Sequence, residues 1–350
     1  MSLFLTKNIH LGIDIGSTGI KIVELERSSN GLRLLTYGFT EDVDEIKKNE
    51  WQNDPKYTAK VINEVCKKAG ATSRMAVTAL PTFSVFSSVL NLSNVDQKDL
   101  ASAVNWEAKK VIPLPMEDIV LDWKKIEFNA GEGAEKAKDV KILLTGAPKT
   151  LVRKYINIFK EAKINLLSLE TETFSLVRSL LGNDKSTVMV VEMGMSTTDI
   201  FIVSQGIPML SRSIDIGGLT ITKAISNNLG VGAERAEQFK YDLGITSVMS
   251  NEDIVPKAII DSLGPVMNEI KYMMNLFETK NNGKVEKIIL SGGSALLPNF
   301  VNYLSKILNL NVVIGDPWAR VSCPADLKPS LSELGPKLAV AIGLAMRENG

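Results

Sequence analysis

Two similar hairpins with glycine in their turns constrain the fold of this 350-residue chain more than any other feature. The first is the apolar strand, turn and apolar strand Leu11-Gly-Ile-Asp-Ile-Gly-Ser-Thr-Gly-Ile-Lys-Ile-Val-Glu-Leu25. The second, Val190-Val-Glu-Met-Gly-Met-Ser-Thr-Thr-Asp-Ile-Phe-Ile-Val203, repeats that order. Glu192 aligns with Asp14 at a separation of about half the chain, and self-similarity at this distance predicts two similar lobes with the functional site between them.

The turn of the first hairpin has the residue types that hold a phosphate. Gly16 and Gly19 permit positive φ and carry no Cβ, so backbone N–H groups in the turn can close around an anion. Asp14 is placed to hold a hydrated Mg²⁺, and Lys21 can reach phosphate oxygens. One such motif also fits an ordinary hairpin, and the second copy favours the phosphate-binding alternative.

Composition excludes several classes of function. Forty basic and forty acidic residues give no net charge, and no long basic run marks a nucleic-acid surface. Cys66 and Cys323 are far apart, which argues for a reducing compartment and against a disulfide scaffold or a zinc site. His10 is the only histidine, so a histidine-based triad or metal cluster is excluded. No apolar run reaches the roughly 18 residues of a membrane span, and the N-terminal segment is too short for a signal peptide, so we expect a soluble cytoplasmic protein.

The order of predicted strands and helices indicates an α/β protein with more than one core. Three strands, a helix beginning at Asp54 and a strand at 75–80 predict half of a doubly wound lobe. We assign the first-lobe core to residues 1–80, 146–184 and 332–350, with a small α+β subdomain inserted at 81–145. The second-lobe core is assigned to 185–219 and 284–331, and a helical subdomain to 220–283.

Five segments, in this order, resemble the superfamily of nucleotide-binding proteins that includes actin, sugar kinases and heat-shock chaperones. They are a phosphate loop (14–21), a connecting helix (170–181), a second phosphate loop (192–198), an adenosine-side loop (291–298) and a second connecting helix (335–347). The resemblance implies a two-lobed actin-like fold, a duplicated ribonuclease H-like architecture. Over essentially its whole length the chain also resembles the PilM family of type IV pilus assembly proteins, most specifically from Trp106 to Trp123.

The resemblance implies that ATP and Mg²⁺ bind between the lobes, with the metal held through water by Asp14 and Glu192. Glu192 departs from the aspartate usual at its position. Glu237 and Lys240 share one helix face and are implied to reach the nucleoside; a solvated surface ion pair is the alternative. The other implied contacts to phosphate, ribose and base are Gly16, Ser17, Thr18, Gly19, Lys21, Gly194, Met195, Ser196, Thr197, Gly217, Gly218, Gly292, Gly293 and Ser294.

Catalysis is the least determined property. Glu172 fits the position of a residue that orients the attacking water, although both it and Glu170 could instead serve a helix N-terminus electrostatically. Because Glu192 is one methylene longer than the usual aspartate, we expect ATP binding with slow or negligible hydrolysis.

The PilM resemblance implies a scaffold at the inner face of the inner membrane that docks the N-terminal cytoplasmic peptide of PilN and links it to the pilus motor. The motor ATPase, the platform protein and further copies of the chain are implied as other partners. An active ATPase or phosphotransferase is one alternative, although we find no dedicated catalytic aspartate outside the phosphate loops. A filament-forming cell-division actin homologue is another, and we expect it to carry an amphipathic tail beyond Arg347.

The inserted region contains a predicted helix at 96–112, with an apolar face that we expect to pack on the strands of the subdomain. Trp106 points away from this face, and Glu107 falls within it and needs a hydrogen-bonding partner. We expect the helix to border a groove for the PilN peptide, with these two residues in its wall. The alternative is that Trp106 packs on the main lobe and Glu107 caps a turn. The apolar face comprises Leu100, Ala103, Val104, Ala108 and Val111.

Overall fold

The computed structural model describes residues 8–17, 19–41, 54–93, 95–126, 140–245, 254–281 and 283–348. The strands in this part of the chain are β1 (Asn8–Ile15), β2 (Gly19–Ser28), β3 (Gly31–Glu41), β4 (Met75–Leu80), β5 (Phe86–Leu92), β6 (Ile119–Ile126), β7 (Val140–Pro148), β8 (Asn165–Thr171), β9 (Val188–Met193), β10 (Thr198–Ser204), β11 (Ile207–Ile214), β12 (Lys287–Ser291), β13 (Asn311–Ile314) and β14 (Val321–Ser322). The helices are α1 (Pro55–Ala69), α2 (Leu100–Val111), α3 (Lys149–Ala162), α4 (Glu172–Leu176, continued by a π turn Val177–Leu181), α5 (Gly218–Leu229), α6 (Ala233–Leu243), α7 (Ile254–Asn281), α8 (Phe300–Leu308) and α9 (Lys328–Ala345). None of them is long and apolar enough to cross a membrane.

Two large sheets with matching topology confirm the duplicated architecture expected from the repeat. The first has the strand order β14-β3-β2-β1-β4-β8, and the second has β11-β10-β9-β12-β13. In each, an antiparallel meander of three strands is followed by parallel pairing of its first strand with a later one, β1 with β4 and β9 with β12. The two hairpins found in the sequence are therefore equivalent elements of two α/β lobes.

A segment near residue 320, which we assigned to the second lobe, belongs to the first lobe. Val321 and Ser322 pair in parallel with Leu32 and Arg33 of β3, and Trp318 belongs to the same apolar cluster as β2, β3 and α9. The expected boundary at residue 331 is therefore too late. The reason is that a two-residue strand leaves no periodic pattern that could reveal its pairing.

Helix α9 crosses between the lobes at very close range. A Cβ on Gly12 of β1 would overlap the backbone of α9 at Ala341, and a Cβ on Gly343 would overlap the carbonyl of Ser175 in α4. The two connecting helices thus meet backbone to backbone, since glycine leaves room for such an approach. This contact fixes the junction of the lobes beside the functional site.

The inserted subdomain has three strands in the order β5-β7-β6, with α2 packed on one face. Its sheet extends to Pro148, three residues beyond the expected boundary. Leu100, Val104 and Ala108 are buried as expected, whereas Val111 is 36% exposed. The helix begins at Leu100 rather than Asp96 because the preceding residues form turns.

Both unusual residues of α2 lie at its surface. Trp106 is 64% exposed, and the ammonium of Lys110 lies 5.9 Å from the centre of its ring. Glu107 accepts a hydrogen bond of 2.6 Å from Lys110. The alternatives that Trp106 packs on the main lobe and that Glu107 caps a turn are therefore wrong.

Candidate functional site

The two hairpin turns have the same backbone geometry. The N–H of Gly16 donates to the carbonyl of Gly19 at 2.9 Å, and the N–H of Gly194 donates to that of Thr197 at 3.0 Å. Each bond closes the turn at equivalent positions of the two repeats. Thr18, which we expected to contact phosphate, lies outside the described residues.

The strands that flank these turns carry different charge pairs. In the first lobe Asp14 faces Lys21 across β1 and β2, with 3.3 Å between carboxylate and ammonium. In the second lobe Glu192 faces Asp199 across β9 and β10. Asp199 is 4% exposed, and its Oδ1 has no hydrogen-bond partner among the described residues. Extending the alignment of the repeats past Thr198 would have revealed this residue, because Asp199 stands where the first lobe has Lys21.

Burial keeps these acids from ionising readily. Desolvation, reinforced by the charge of Asp199, raises the pKa of Glu192 to about 8, although Lys21 opposes the shift. Desolvation also raises the pKa of Asp199 to about 6. The pKa of Glu172 is raised well above its usual range by burial and then by the charges of Asp199 and Asp14. A cation would relieve this concentration of acidic groups.

A cavity of ≈ 120 Å³ between the two turns, here called the turn cavity, contains this group of acids. Its wall consists of Asp14, Ile15, Gly16, Ser17, Lys21, Pro81, Phe83, Glu172, Glu192, Gly194, Met195, Thr197, Asp199 and Val340. Within the described chain, no three His, Cys, Asp or Glu side chains are grouped closely enough to bind a metal ion directly. A metal held here would therefore need ligands beyond these carboxylates, such as water.

A second cavity of ≈ 110 Å³, the glycine cavity, shares Lys21, Glu192, Gly194 and Met195 with the turn cavity. The rest of its wall consists of Gly218, Glu237, Lys240, Tyr241, Gly292, Gly293, Ser294 and Lys337. The sequence pointed to most of these residues but missed Tyr241 and Lys337, which come from α6 and α9. Gly19, Ser196 and Gly217 line neither cavity.

Glycine is required where the backbone crowds the glycine cavity. A Cβ on Gly218 would lie 2.6 Å from the hydroxyl of Ser294. Gly292 has a φ of +83°, and a Cβ there would overlap the carbonyl of Met193. Both positions place bare backbone against the cavity, so a ligand can approach peptide groups that any side chain would cover.

Glu237 and Lys240 form a buried network rather than a solvated surface pair, so that alternative is wrong. Lys240 is 1% exposed, and its ammonium donates to both Glu237 oxygens at 2.7 Å. It also donates to the hydroxyl of Thr222 at 3.0 Å and to the carbonyl of Gly218 at 3.3 Å. Desolvation lowers the pKa of Lys240, and Glu237 opposes this shift.

The structure gives the two glutamates of the first connecting segment separate roles. Glu170 accepts two hydrogen bonds from Arg178, at 2.9 and 2.8 Å, and one from Arg347. It therefore anchors α4 and the end of the chain. Glu172 lines the turn cavity and accepts from both the N–H and the hydroxyl of Thr82.

The subdomain groove, a cavity of ≈ 390 Å³, lies between the inserted subdomain and the first lobe. On the subdomain side, alternate residues of β6 and β7 line it and lie outside the apolar cluster of α2. Trp123 of β6 lines it as well, although this residue also packs against that cluster. Neither Trp106 nor Glu107 belongs to its wall, so the expectation that α2 borders this groove is wrong. The helix covers the opposite face of the sheet. The wall includes Val85, Val120, Asp122, Lys124, Leu143, Thr145, Ala147, Val152, Leu169, Thr171, Phe174, Arg178 and Arg347.

Comparisons with known proteins agree with this architecture. The family model described as type IV pilus assembly protein PilM matches residues 12–349. The cell division protein FtsA of Bacillus subtilis is 20% identical over 88% of this chain and 79% of its own. Among solved structures, a PilM-PilN type IV pilus biogenesis complex has a TM-score of 0.82 at 23% identity, covering 97% of this chain and 98% of that one. MreB5 of Spiroplasma citri bound to ADP has a TM-score of 0.52 at 13% identity, covering 96% and 94%.

Proposed function

The chain belongs to the type IV pilus assembly protein PilM family, and we propose that it acts there as an actin-like scaffold that binds ATP with Mg²⁺ and docks a PilN peptide. The observation that carries the nucleotide proposal is the pair of equivalent turns, Gly16 to Gly19 and Gly194 to Thr197, facing contiguous cavities. MreB5 of Spiroplasma citri, which has the same fold, has been solved with ADP bound.

The residues present fit a magnesium nucleotide. Lys21 lines both cavities and can contact phosphate oxygens. Asp14 and Glu192 would hold Mg²⁺ through water, and the unpartnered oxygen of Asp199 offers a further acceptor for that water. Bound Mg²⁺ would neutralise phosphate charge.

The nucleoside would occupy the glycine cavity, beside the backbone of Gly218 and Gly292 and the buried network of Glu237 and Lys240. The part of the wall formed by Gly218, Gly292, Gly293 and Ser294 contains only backbone and one short side chain, which leaves space for a ring system. Tyr241 also belongs to this wall, and its ring can contact a base.

Slow or negligible hydrolysis follows from the state of Glu172. Its Oε2 is taken up by two donors of Thr82, and burial raises its pKa well above the usual range. A carboxyl group whose ionisation is disfavoured and that is bonded elsewhere orients an attacking water poorly.

The subdomain groove is the proposed site for the N-terminal cytoplasmic peptide of PilN. One wall is β6, an edge strand of its sheet, so an extended peptide can add to it by backbone hydrogen bonds. Val120, Leu169 and Phe174 offer apolar contacts, while Asp122 and Lys124 offer charged ones. A PilM-PilN complex of the same fold has been solved. Tethering through such a peptide would place the protein at the inner membrane beside the pilus motor.

Titration calorimetry with Mg–ATP tests the nucleotide proposal. We expect binding to the wild type, weaker binding to Asp14→Ala and Lys21→Ala, and unchanged binding to Lys60→Ala, a substitution on the exposed face of α1. A correctly folded wild type that binds no ATP would contradict the proposal.

Peptide affinity tests the groove. Val120→Asp puts a charge into the apolar wall, and we expect it to weaken binding of the PilN peptide at least about tenfold, which corresponds to roughly 1.4 kcal/mol. Trp106→Ala, on the other face of the subdomain, is the matched control and should leave the affinity unchanged. The reverse result would place the peptide on α2.

A further inference from the structure

Glu172 contacts the point at which the inserted subdomain leaves the first lobe. Its Oε2 accepts from the N–H of Thr82 at 2.9 Å and from the hydroxyl of Thr82 at 3.0 Å. Thr82 begins a short 3₁₀ turn, Thr82–Ser84, which follows β4 and leads into β5 of the subdomain. A single carboxyl group therefore holds the root of the subdomain.

The same carboxyl group faces the turn cavity. The charged groups around it are Asp14 and Lys21 from the first hairpin, and Glu192 and Asp199 from the second. Glu172 thus stands between the proposed phosphate site and Thr82. Its Oε2 is bonded to Thr82, and its other oxygen can bond to a ligand in the turn cavity, but a shift of the carboxyl group toward that ligand lengthens its bonds to Thr82.

A third cavity continues this connection toward the subdomain groove. It measures ≈ 230 Å³ and is lined largely by hydroxyl groups, including those of Thr82, Ser87, Thr173 and Ser211. Phe83 lines both this hydroxyl cavity and the turn cavity. Val85 and Thr171 line both the hydroxyl cavity and the groove. The phosphate site and the groove are therefore joined by a continuous series of shared walls along the root of the subdomain.

We propose that Glu172 couples ligand binding at the paired turns to the inserted subdomain, by giving up its bonds to Thr82 when a bound ligand draws its carboxyl group into the turn cavity. The proposal rests on the nucleotide function proposed above and makes Glu172 a positioning residue for the groove. Release leaves the N–H of Thr82 without its acceptor, so the root of the subdomain loosens. By thermodynamic linkage, a peptide in the groove must then weaken nucleotide binding by the same factor as nucleotide weakens peptide binding.

Amide hydrogen exchange of the full-length protein, with and without Mg–ATP, tests this coupling. In the wild type we expect the Thr82 amide and those of β5 to exchange at least about fivefold faster with nucleotide bound, and the peptide affinity to fall by a similar factor. Thr82→Val removes the hydroxyl bond but keeps the backbone bond, so the response should shrink. Glu172→Gln can still accept from Thr82 but has no second oxygen to offer a ligand in the turn cavity, so its response should disappear while calorimetry still detects ATP.

Ser87→Ala is the matched control, because Ser87 lines the hydroxyl cavity without contacting Glu172 in any described hydrogen bond. It should respond as the wild type does. A wild type that binds Mg–ATP with unchanged exchange and unchanged peptide affinity overturns the coupling alone. The same response in Glu172→Gln as in the wild type also overturns it. A folded wild type that binds no ATP overturns both the coupling and the nucleotide proposal.

Discussion

Glu192 and Asp199 face each other across β9 and β10, so the second lobe has two acids where the first has an acid and a lysine. Asp14 is balanced within its own hairpin by Lys21 at 3.3 Å. The second pair has no such internal balance, because burial and the charge of Asp199 oppose ionisation of Glu192 across the sheet. Because of this asymmetry between the repeats, a cation bound at the junction of the lobes would stabilise the second pair.

Asp199→Asn should stabilise the ligand-free protein and reduce the gain in stability on adding Mg–ATP. The amide keeps the shape of the side chain but removes a buried carboxyl group whose ionisation desolvation opposes, and we expect a gain of about 1 kcal/mol. Thermal unfolding with and without Mg–ATP measures both effects. Asp118→Asn, at an exposed position of the subdomain, should alter neither. A loss of stability in ligand-free Asp199→Asn would contradict this account.

Gly343→Ala should destabilise the protein strongly. The added Cβ would overlap the carbonyl of Ser175, and neither helix backbone can shift without disturbing the junction of the lobes. Overpacking of this kind costs about 1–3 kcal/mol or more, and the melting temperature reports the loss.

Gly264→Ala in α7 is the matched control for this substitution, because its Cβ would meet no atom within 4 Å. We expect a change below about 1 kcal/mol, since the lower chain entropy of alanine is opposed by the proline that follows. Equal effects of the two substitutions would mean that the close crossing of α4 and α9 does not limit stability.

The repeat was predictable from sequence because strand, turn and strand are local patterns. Glycine spacing and an acid at the strand end sufficed to locate both turns and much of the two cavities. Extending the same alignment would also have located Asp199. Contacts between distant segments could not be predicted, because no periodicity encodes them. These contacts include the pairing of β14 with β3, the ion pair of Glu170 with Arg347, and the bonds from Thr82 to Glu172.

The position of the subdomain groove was also beyond what the sequence could predict. The apolar face of α2 was predicted and is buried, but which side of the subdomain sheet faces the first lobe depends on how the whole unit is placed. Trp106 is exposed because α2 lies on the face of the subdomain sheet that is turned away from the groove.

The two cysteines should differ in reactivity. Cys66 is buried in the first lobe, and desolvation raises the pKa of its thiol to about 11, so only about one in a thousand is thiolate at pH 8. Cys323 is half-buried. Ellman's reagent should therefore label one thiol rapidly in the native protein and the second only on unfolding, with Cys323→Ser removing the rapid phase. Two rapid phases in the native wild type would contradict the burial of Cys66.

The network in the glycine cavity should respond unequally to loss of its two charged partners. The ammonium of Lys240 is 1% exposed, whereas the side chain of Glu237 is 36% exposed. Glu237→Gln removes the counter-ion of a buried ammonium but keeps one oxygen that can accept from it at a partly exposed position, so we expect a loss of about 2 kcal/mol. Lys240→Met leaves a carboxylate that water can reach and that still accepts from Thr222, so we expect a smaller loss, about 1 kcal/mol.

Chemical denaturation of the two variants and of the double variant measures these losses and their coupling. The double variant should recover much of the stability lost in Glu237→Gln, because it removes the stranded charge. All three should bind Mg–ATP more weakly than the wild type, since both side chains line the glycine cavity. A larger loss for Lys240→Met than for Glu237→Gln would show that water does not reach Glu237, and that the carboxylate is the more deeply buried partner in solution.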